Sequence, residues 1–349
     1  YDGKQSVPLF YNNTTASLSE VTANVADLQA GRDWAKHGIK GLTLRFRGDP
    51  ANVLQQLYVK INGAKVAYDG SAENLRRAAW QMWYIDLASL GVSLSNVTKL
   101  TIGLERIGTV GGQGMVLLDG IRLYAYDRQS ITPADPGTTS LQAQYPFEGN
   151  TNDSSGNGRN GTAMGGPLFA AGQVGQAISL DGIDDYVEIT GYKGILGGGA
   201  FSIAAWVRST STGDATMVCW GASTLGQRVD FRLFEGRLRV EHGNGNLQAN
   251  TVLADDQWHH VALTVTENAS ISYPAVKLYL DGNDDSQTTT DPDPFDIVAS
   301  IDVNIGRRGT NNDRSFQGLI DDVRIYDRVL SPEEIAWVAG LTKPFDKAF

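Results

Sequence analysis

Apolar and polar side chains alternate along most of this chain in short runs, which is the pattern of half-buried β-strands. In residues 42–47 every second side chain is apolar and would face a core. Residues 57–63 end in an Asn-Gly pair and are followed by residues 65–68, which predicts a β-hairpin. Similar runs predict further strands at residues 83–87, 97–104 and 115–124, and a short helix is predicted around residues 72–79.

The second half of the chain repeats this alternation. It predicts strands at residues 177–180, 186–189, 201–207, 216–220, 229–233, 237–240, 258–265, 276–280, 302–305 and 318–326. Ser331, Pro332 and Glu334 then have the spacing of a helix start, with a Ser cap, Pro in the first turn and Glu in the capping-box position. The last predicted strand therefore leads into a short terminal helix.

A segment with two prolines, a glycine and small polar residues separates the two sets of strands, at residues 130–140. Such a composition is typical of a stiff linker that does not pack, and 349 residues suit two domains. Strands with short turns and no crossover helices predict antiparallel sheets. We therefore predict an all-β protein of two tandem antiparallel β-sandwiches of the jelly-roll type. The predicted domains are residues 1–128 and 141–349, joined by a Pro/Gly/Thr linker at residues 129–140.

Composition narrows the classes of function. The formal net charge is −10, which argues against a general binder of nucleic acid or anionic membranes and suits an extracellular protein. No apolar run reaches membrane-spanning length, so no membrane insertion is expected. Cys219 is the single cysteine, which excludes an intrachain disulfide and favours a small buried apolar side chain. The chain starts at Tyr1 without a signal peptide, and we interpret it as a mature or excised segment of a secreted or cell-surface protein.

Several motifs follow one another in the second half: Phe-Glu-Gly-Asn at 147–150, Leu-Asp-Gly-Ile-Asp-Asp-Tyr at 180–186, Trp-His-His-Val at 258–261, Leu-Tyr-Leu-Asp-Gly at 278–282, Ile-Gly-Arg at 305–307 and Ile-Asp-Asp-Val-Arg-Ile-Tyr at 320–326. In this order, over residues 141–340, they resemble the laminin-G-like group of concanavalin A-like lectin/glucanase jelly rolls, of the bacterial type. That resemblance implies a recognition and adhesion fold, often attached to sugar-active enzymes, that commonly carries a structural calcium. The first domain resembles a carbohydrate-binding-module β-sandwich in its strand order and its closing segment at 118–124. Such pairs are similar to those in large secreted bacterial proteins.

Two adjacent carboxylates, Asp321 and Asp322, interrupt the last predicted strand. Successive strand residues point to opposite faces, so the two cannot chelate one ion as a pair. The resemblance implies that Asp321 meets the loop after the first strand of this domain. That loop offers the oxygen ligands that calcium prefers, on Glu148, Asn152, Asp153 and Asn157. The alternative is that these residues only form turns.

The first domain contains a similar segment. Its residues 118–124 repeat the order Asp, then apolar-Arg-apolar-Tyr, of residues 320–326. Asp119 is therefore predicted to bind a second structural calcium or to hold the amino-terminal strand.

Catalytic arrangements are not found. A retaining glycosidase of this fold would present its acid and nucleophile a few residues apart on one strand, and the sequence has no such array. The aspartates of residues 181–185 fit a turn, and His259 and His260 point to opposite faces without zinc-ligand spacing. Most tryptophans match core positions. Trp80 and Trp34 are the candidate platforms for stacking a sugar ring.

We therefore predict a secreted, non-catalytic protein that binds glycans or another extracellular surface polymer, with structural calcium. The alternative is a self-assembling component of a bacterial surface layer, filament or extracellular matrix. An enzyme with a degenerate glycanase site is the third interpretation.

Overall fold

The computed structural model describes residues 6–78, 80–125, 129–243, 245–287 and 290–346. The chain divides into two compact units, Tyr1–Ser130 with Asp346–Phe349, and Ile131–Phe345. Each unit is built from antiparallel sheets, which confirms the predicted all-β class. Residues 126–128, at the end of the predicted first domain, lie outside the described residues.

Unit 1 consists of short strands and single 3₁₀ turns. The strands are β1 (Val7–Asn12), β2 (Leu18–Asn24), β3 (Gly41–Arg47), β4 (Gln56–Ile61), β5 (Ala64–Ala67), β6 (Gln81–Asp86), β7 (Lys99–Glu105) and β8 (Gln113–Tyr124). The two-residue strand β9 (Ser130–Ile131) includes the last residue before unit 2 and the first residue of it. The 3₁₀ turns are Val25–Asp27, Ala35–His37, Ala72–Arg76 and Ala88–Leu90. The helix predicted around residues 72–79 is thus one 3₁₀ segment, because the chain already becomes extended at Arg77.

Two four-stranded sheets form this sandwich, in the orders β1-β8-β3-β6 and β2-β7-β4-β5. Their facing sides bury the apolar side chains that the alternation predicted, including Leu44, Val59 and Ile85. Trp34 lies in the same core and is 2 % exposed. The prediction of Trp34 as an exposed platform is therefore wrong. Its polar neighbours in sequence suggested exposure, but the indole packs inward, with Nε1 donating to Gly31 O at 2.9 Å.

Unit 2 contains the remaining strands and one helix. They are β10 (Leu141–Tyr145), β11 (Thr162–Met164), β12 (Leu168–Ala171), β13 (Gln176–Asp181), β14 (Tyr186–Ile189), β15 (Phe201–Arg208), β16 (Ala215–Gly221), β17 (Arg228–Phe234), β18 (Arg237–Glu241), β19 (Asn246–Val252), β20 (His259–Val265), β21 (Ser270–Ser272), β22 (Val276–Leu280), β23 (Asn283–Asp284), β24 (Thr290–Pro294), β25 (Ile301–Ile305), β26 (Gln317–Tyr326) and α1 (Pro332–Val338). The two-residue strand β27 (Phe345–Asp346) includes the last residue of unit 2 and the residue after it.

The large sheet of unit 2 runs β12-β13-β26-β15-β20-β22-β23, with β10 also paired to β26, and the opposing sheet runs β11-β14-β25-β16-β17-β18-β19. The apolar core lies between them. Helix α1 begins with the predicted capping box, in which Ser331 Oγ accepts from Glu334 N and the Glu334 carboxylate accepts from Ser331 N. Ile335 and Val338 of α1 pack with Tyr326 in a second apolar cluster.

The proline-rich segment is not a free linker. Ala134 N donates to Glu333 O at 3.0 Å, and Arg328 Nη2 donates to Pro136 O at 3.1 Å. Pro136 is buried. Residues 132–140 thus pack within unit 2 beside α1, contrary to the expectation that this composition would not pack.

Strand β8 contains a β-bulge at the aspartate singled out in the sequence. Arg45 of β3 lies opposite Asp119, and Thr43 lies opposite Arg122, so β8 has one more residue than β3 between these pairs. Gly120, which follows the aspartate, has a φ of 55°. One extra residue with positive φ is the geometry of a β-bulge, which bends the strand and redirects its side chains.

Strand β26 contains the same bulge. Trp206 of β15 lies opposite Asp321, and Ala204 lies opposite Arg324. Asp322, the residue after the first aspartate, has a φ of 42°. The similar sequences of residues 118–124 and 320–326 therefore form the same β-bulge in both sandwiches.

Candidate functional site

Asp321 is a buried carboxylate held by the turn between β12 and β13. Asp321 is 1 % exposed, and its Oδ2 accepts a hydrogen bond from Val174 N at 2.9 Å. Oδ1 has no hydrogen-bond partner among the described residues. Burial, together with the neighbouring charge of Asp322, raises the pKa of Asp321 to about 6. A buried carboxylate with one unpaired oxygen is costly to ionise, so the position fits a group that is neutralised by a proton or a cation.

Glu148 reaches the same turn from the loop that follows β10. Glu148 Oε2 accepts from Gln176 N at 3.0 Å, and the turn itself is closed by Gly172 N donating to Gly175 O at 3.0 Å. The structure therefore brings Asp321 and Glu148 to one segment, residues 172–176, whereas the resemblance implied that Asp321 meets the loop at residues 148–157 itself.

The two glycines of this turn make the close approach of the carboxylates feasible. A Cβ at Gly172 would lie 2.6 Å from Asp321 Oδ2, and a Cβ at Gly175 would lie 1.9 Å from Glu148 Oε1. Gly175 also has a φ of 58°, which favours glycine. Sequence reasoning missed this segment because it has no acidic residue. The pair of glycines three positions apart was the signal that could have marked it.

The other predicted ligands of this loop are used differently. Asp153 Oδ1 accepts from Gln144 N at 3.0 Å and from Ser155 N at 2.9 Å, while Oδ2 accepts from Arg159 N at 3.0 Å. Burial would raise the pKa of Asp153, but these amide donors outweigh it and hold the pKa below its usual value. These are the contacts of a turn-forming aspartate.

Asn157 also serves the loop, since its Nδ2 donates to Leu141 O at 2.9 Å and to Gln142 O at 3.0 Å. Asn152 is exposed, and its backbone N donates to Asn150 Oδ1 at 2.9 Å. The contacts of Asn157 and Asp153 fasten the loop to β10 and do not reach the turn at residues 172–176.

Asp322 has its own partners. Arg324 donates from Nε and Nη2 to the Asp322 carboxylate at 2.8–3.1 Å, and Gln144 Nε2 donates to Asp322 Oδ1 at 2.8 Å. The two adjacent aspartates thus act separately, one toward the β12–β13 turn and one in an ion pair.

Asp119 occupies the equivalent bulge of unit 1. It is half-buried, and its Oδ1 accepts from Gly120 N at 2.7 Å. It lines a mainly apolar cavity of about 350 Å³ together with Ser6, Val7 and Ile121. Here the aspartate borders a cavity, whereas Asp321 contacts a turn.

On the outer face of the sheet β11-β14-β25-β16-β17-β18-β19, carboxylates and arginines form a network of ion pairs. Asp230 of β17 lies directly opposite Glu241 of β18. Asp230 is 0 % exposed; Thr216 Oγ1 donates to its Oδ1 at 2.7 Å, and Arg314 Nη1 donates to its Oδ2 at 2.5 Å. Burial raises the pKa of Asp230.

Glu241 is paired with arginines from the neighbouring strand. Arg228 Nη2 donates to Glu241 Oε1 at 2.7 Å, and Arg232 donates to Oε2. Burial would raise the pKa of Glu241, but the guanidinium groups, that of Arg232 first, hold the pKa below its usual value. The two carboxylates are therefore occupied by side chains of the protein itself.

The adjacent histidines have different environments. The ring nitrogens of His259 contact Asp281 Oδ2 at 2.9 Å and Asp255 Oδ1 at 3.2 Å, and the hydrogen bond to Asp281 contributes most to the raised pKa of His259. His260 is buried against Trp206, which lowers its pKa to about 4. Within the part of the chain that is described, the carboxylates of Asp181, Asp184 and Asp185 form a close acidic group. Asp181 Oδ1 accepts from Ile183 N at 2.8 Å, in agreement with the predicted turn.

Two stacked antiparallel sheets with bulged closing strands define unit 2 as a β-sandwich of the jelly-roll class. Residues 181–336 match the family model of the concanavalin A-like lectin/glucanases superfamily. The resemblance stated for the second domain is confirmed over these residues.

Solved structures similar to this chain include domain 4 of a GH43 extracellular arabinanase from Geobacillus stearothermophilus in complex with arabinotriose. The two chains are 25 % identical over 57 % of this chain and 98 % of that chain, with a TM-score of 0.47. The binding domain of Paraclostridial Mosquitocidal Protein 1 is 17 % identical over 58 % of this chain and 52 % of that chain, with a TM-score of 0.47. The receptor-binding domain of botulinum neurotoxin type G is 15 % identical over 58 % of this chain and 51 % of that chain, with a TM-score of 0.42. The matched region thus spans about half the length of these two toxin domains.

No curated protein matches the chain. None of the helices among the described residues combines the length and the apolar character that a membrane crossing requires.

Proposed function

We propose that this protein is a non-catalytic glycan-binding protein that acts outside the cell or at the cell surface. The match of residues 181–336 to a family model of lectins and glucanases supports a sugar ligand. The observation that favours binding over hydrolysis is that arginine side chains already pair with the carboxylates of Asp230 and Glu241. These are facing carboxylates on the outer side of a sheet, and both are held by arginines.

Glycoside hydrolysis needs two carboxyl groups that flank the scissile bond, one of them free to donate a proton. Asp230 is fully buried under Arg314, and Glu241 is engaged by Arg228 and Arg232. Neither carboxylate can contact a glycosidic oxygen without breaking these ion pairs. This pair of carboxylates would therefore leave a bound glycan unchanged.

The full chain should be retarded in gels that contain a soluble polysaccharide while releasing no reducing ends from it. Failure to bind any member of a broad polysaccharide panel would contradict the glycan ligand. Release of reducing ends that disappears in Asp230→Asn would contradict the non-catalytic role.

The proposal includes a structural calcium that is held by Asp321 and Glu148. The unpaired buried Oδ1 of Asp321 fits the hard oxygen ligands that this ion prefers, and Glu148 contacts the same turn. The ion would neutralise the buried charge and fasten the turn at residues 172–176 to β26. Asn152, Asp153 and Asn157 would support the loop that carries Glu148.

A second cation at Asp119, or a contact from Asp119 to the amino-terminal strand, stays a prediction. Calorimetric titration of the full chain with calcium separates the two: Asp119→Asn should lower the stoichiometry only if that residue binds an ion.

Self-assembly is the second candidate function, and edge strand β12 favours it. This strand has no charged residue, and its Leu168 is 72 % exposed, which leaves an apolar edge open to a further strand. Concentration-dependent sedimentation of the wild-type chain that is abolished by Leu168→Lys would support assembly through β12. A monomer at all concentrations would contradict it.

A further inference from the structure

Unit 1 has a cleft of about 570 Å³ between strands β1 and β8 and the loop at residues 49–52. We call it the Phe10 cleft, after one of its lining residues; Asp49, Asn52, Gln113 and Met115 are among the others. Its volume lies within the range of about 300–1,000 Å³ that is common for small-molecule sites.

The wall formed by the loop is fastened by side-chain hydrogen bonds. Asn52 Nδ2 donates to Leu75 O at 2.7 Å and to Met115 O at 2.8 Å, while Oδ1 accepts from Met115 N at 2.8 Å. Tyr11 OH donates to Val53 O at 2.7 Å. The cleft is therefore formed before any ligand arrives, so that binding does not have to order the loop.

Gly114 of β8 keeps the same wall closely packed. A Cβ at this position would lie 2.1 Å from Asn52 Oδ1 and 2.5 Å from Tyr11 OH. Any larger residue would displace Asn52 from β8. The shape of the cleft thus depends on this glycine.

The lining combines one apolar surface with hydrogen-bonding groups. Phe10 is 70 % exposed and lies opposite Met115 in the pairing of β1 with β8. An exposed aromatic ring next to a polar cleft is typical of a binding surface. Asp49 and Gln113 supply carboxylate and amide groups, and Asp49 Oδ1 already accepts from Ala51 N at 2.8 Å, which orients the carboxylate.

We propose that the Phe10 cleft binds neutral glycans, a site that deepens the proposed function and rests on it. A pyranose or furanose ring has an apolar C–H surface that can pack on Phe10, and a rim of hydroxyl groups that can donate to Asp49 and exchange hydrogen bonds with Gln113. Asp49 is the charged member of the described lining, and like charges repel in a concave site. Glycans that carry carboxylate or sulfate groups would therefore bind more weakly than neutral ones.

The test compares variants of the full chain in binding to one neutral and one uronate-rich soluble polysaccharide, measured as retardation in gels of increasing polysaccharide content. Phe10→Ala should lower the affinity for the neutral polysaccharide about tenfold, equivalent to about 1.4 kcal/mol. Phe10→Trp should retain it. Asp49→Asn should reduce the difference in affinity between the neutral and the uronate-rich polysaccharide. Ile183→Ala removes a side chain that is 77 % exposed in unit 2 and serves as the matched control with unchanged binding.

The outcomes separate this site from the proposed function. Glycan binding by the wild type that Phe10→Ala leaves unchanged, with the variant melting as the wild type does, overturns the Phe10 cleft and leaves the proposed function standing. A wild-type chain that binds no glycan overturns both. Equal binding of the two polymers by the wild type overturns the selectivity for neutral glycans.

Discussion

Replacement of Asp321 by asparagine should stabilise the calcium-free protein at neutral pH and should abolish the stabilisation that calcium gives the wild type. Burial raises the pKa of Asp321 to about 6 in the folded protein, whereas an aspartate in the unfolded chain titrates near 4. The folded state therefore binds the proton more tightly, and without calcium the protein loses stability as the pH rises from about 4 to about 6. Two pKa units correspond to about 3 kcal/mol, and this loss persists at neutral pH.

Asparagine cannot ionise, so the calcium-free variant escapes this loss. In EDTA at about pH 7.5, Asp321→Asn should exceed the wild type in stability by up to about 3 kcal/mol, and near pH 4 the two should be similar. Calcium at about one hundred times its dissociation constant adds about 2.7 kcal/mol to the wild type only. For a unit of the size of Ile131–Phe345, that gain is about 5–10 °C in melting temperature.

Differential scanning calorimetry of the full chain, in EDTA and in calcium at several pH values, measures both effects. Asp296→Asn makes the same chemical change at an exposed position of unit 2 and is the matched control. Equal calcium shifts in wild type and Asp321→Asn would refute Asp321 as a ligand. If Asp321→Asn in EDTA were less stable than the wild type at neutral pH, the free-energy cost of ionising the buried Asp321 carboxyl group would be refuted.

Three further changes test other contacts. Gly172→Ala places a Cβ 2.6 Å from a carboxylate oxygen and 2.7 Å from a backbone atom, and should lower the free energy of unfolding by about 1–3 kcal/mol, measured by thermal unfolding. The control is Gly213→Ala, where the nearest atom is 3.9 Å away and the loss of stability should be small. Equal losses in the two variants would contradict the steric explanation. Arg314→Ala removes the guanidinium that donates to the buried Asp230 and leaves Arg232 Nε at 3.7 Å, and it should lower the free energy of unfolding by about 3–5 kcal/mol. The double change with Asp230→Asn should recover much of this loss, and no recovery would argue against the ion pair. The raised pKa of His259 means that its ion pairs stabilise the fold fully below the ordinary histidine pKa and lose this effect as the pH rises through the folded pKa. His259→Gln should therefore destabilise the protein more near pH 5.5 than near pH 8.5 in chemical denaturation, and a pH-independent difference would exclude the charged pairs.

Local patterns predicted most of the secondary structure. Alternation over four to eight residues located strands such as Tyr186–Ile189 and Val276–Leu280, because a sheet with one buried face requires that period of its own residues. The capping box at Ser331 was visible for the same reason, since both partners lie within one helical turn. Strand β12, whose residues do not alternate, was missed, and so was β19, although its Leu247 and Ala249 alternate with polar neighbours.

Contacts between distant segments set the rest. The hydrogen bond from Val174 N to Asp321 Oδ2 joins residues 147 positions apart, so no local pattern links the carboxylate to its turn. Trp34 was predicted to be exposed from its polar neighbours, yet the turn at Ala35–His37 directs the indole into the core.

The sequence by itself determined two antiparallel sandwiches and the repeated order of Asp followed by apolar-Arg-apolar-Tyr, and it singled out the carboxylates Asp321 and Glu148. Only the tertiary structure decided that these two carboxylates meet at residues 172–176, that Asp230 and Glu241 are closed by arginines, and that Phe10 stands exposed beside a preformed cleft. The physical reason is that strand formation depends on the periodicity of neighbouring residues. Burial and the pairing of charges depend instead on which remote segments the sheets bring together.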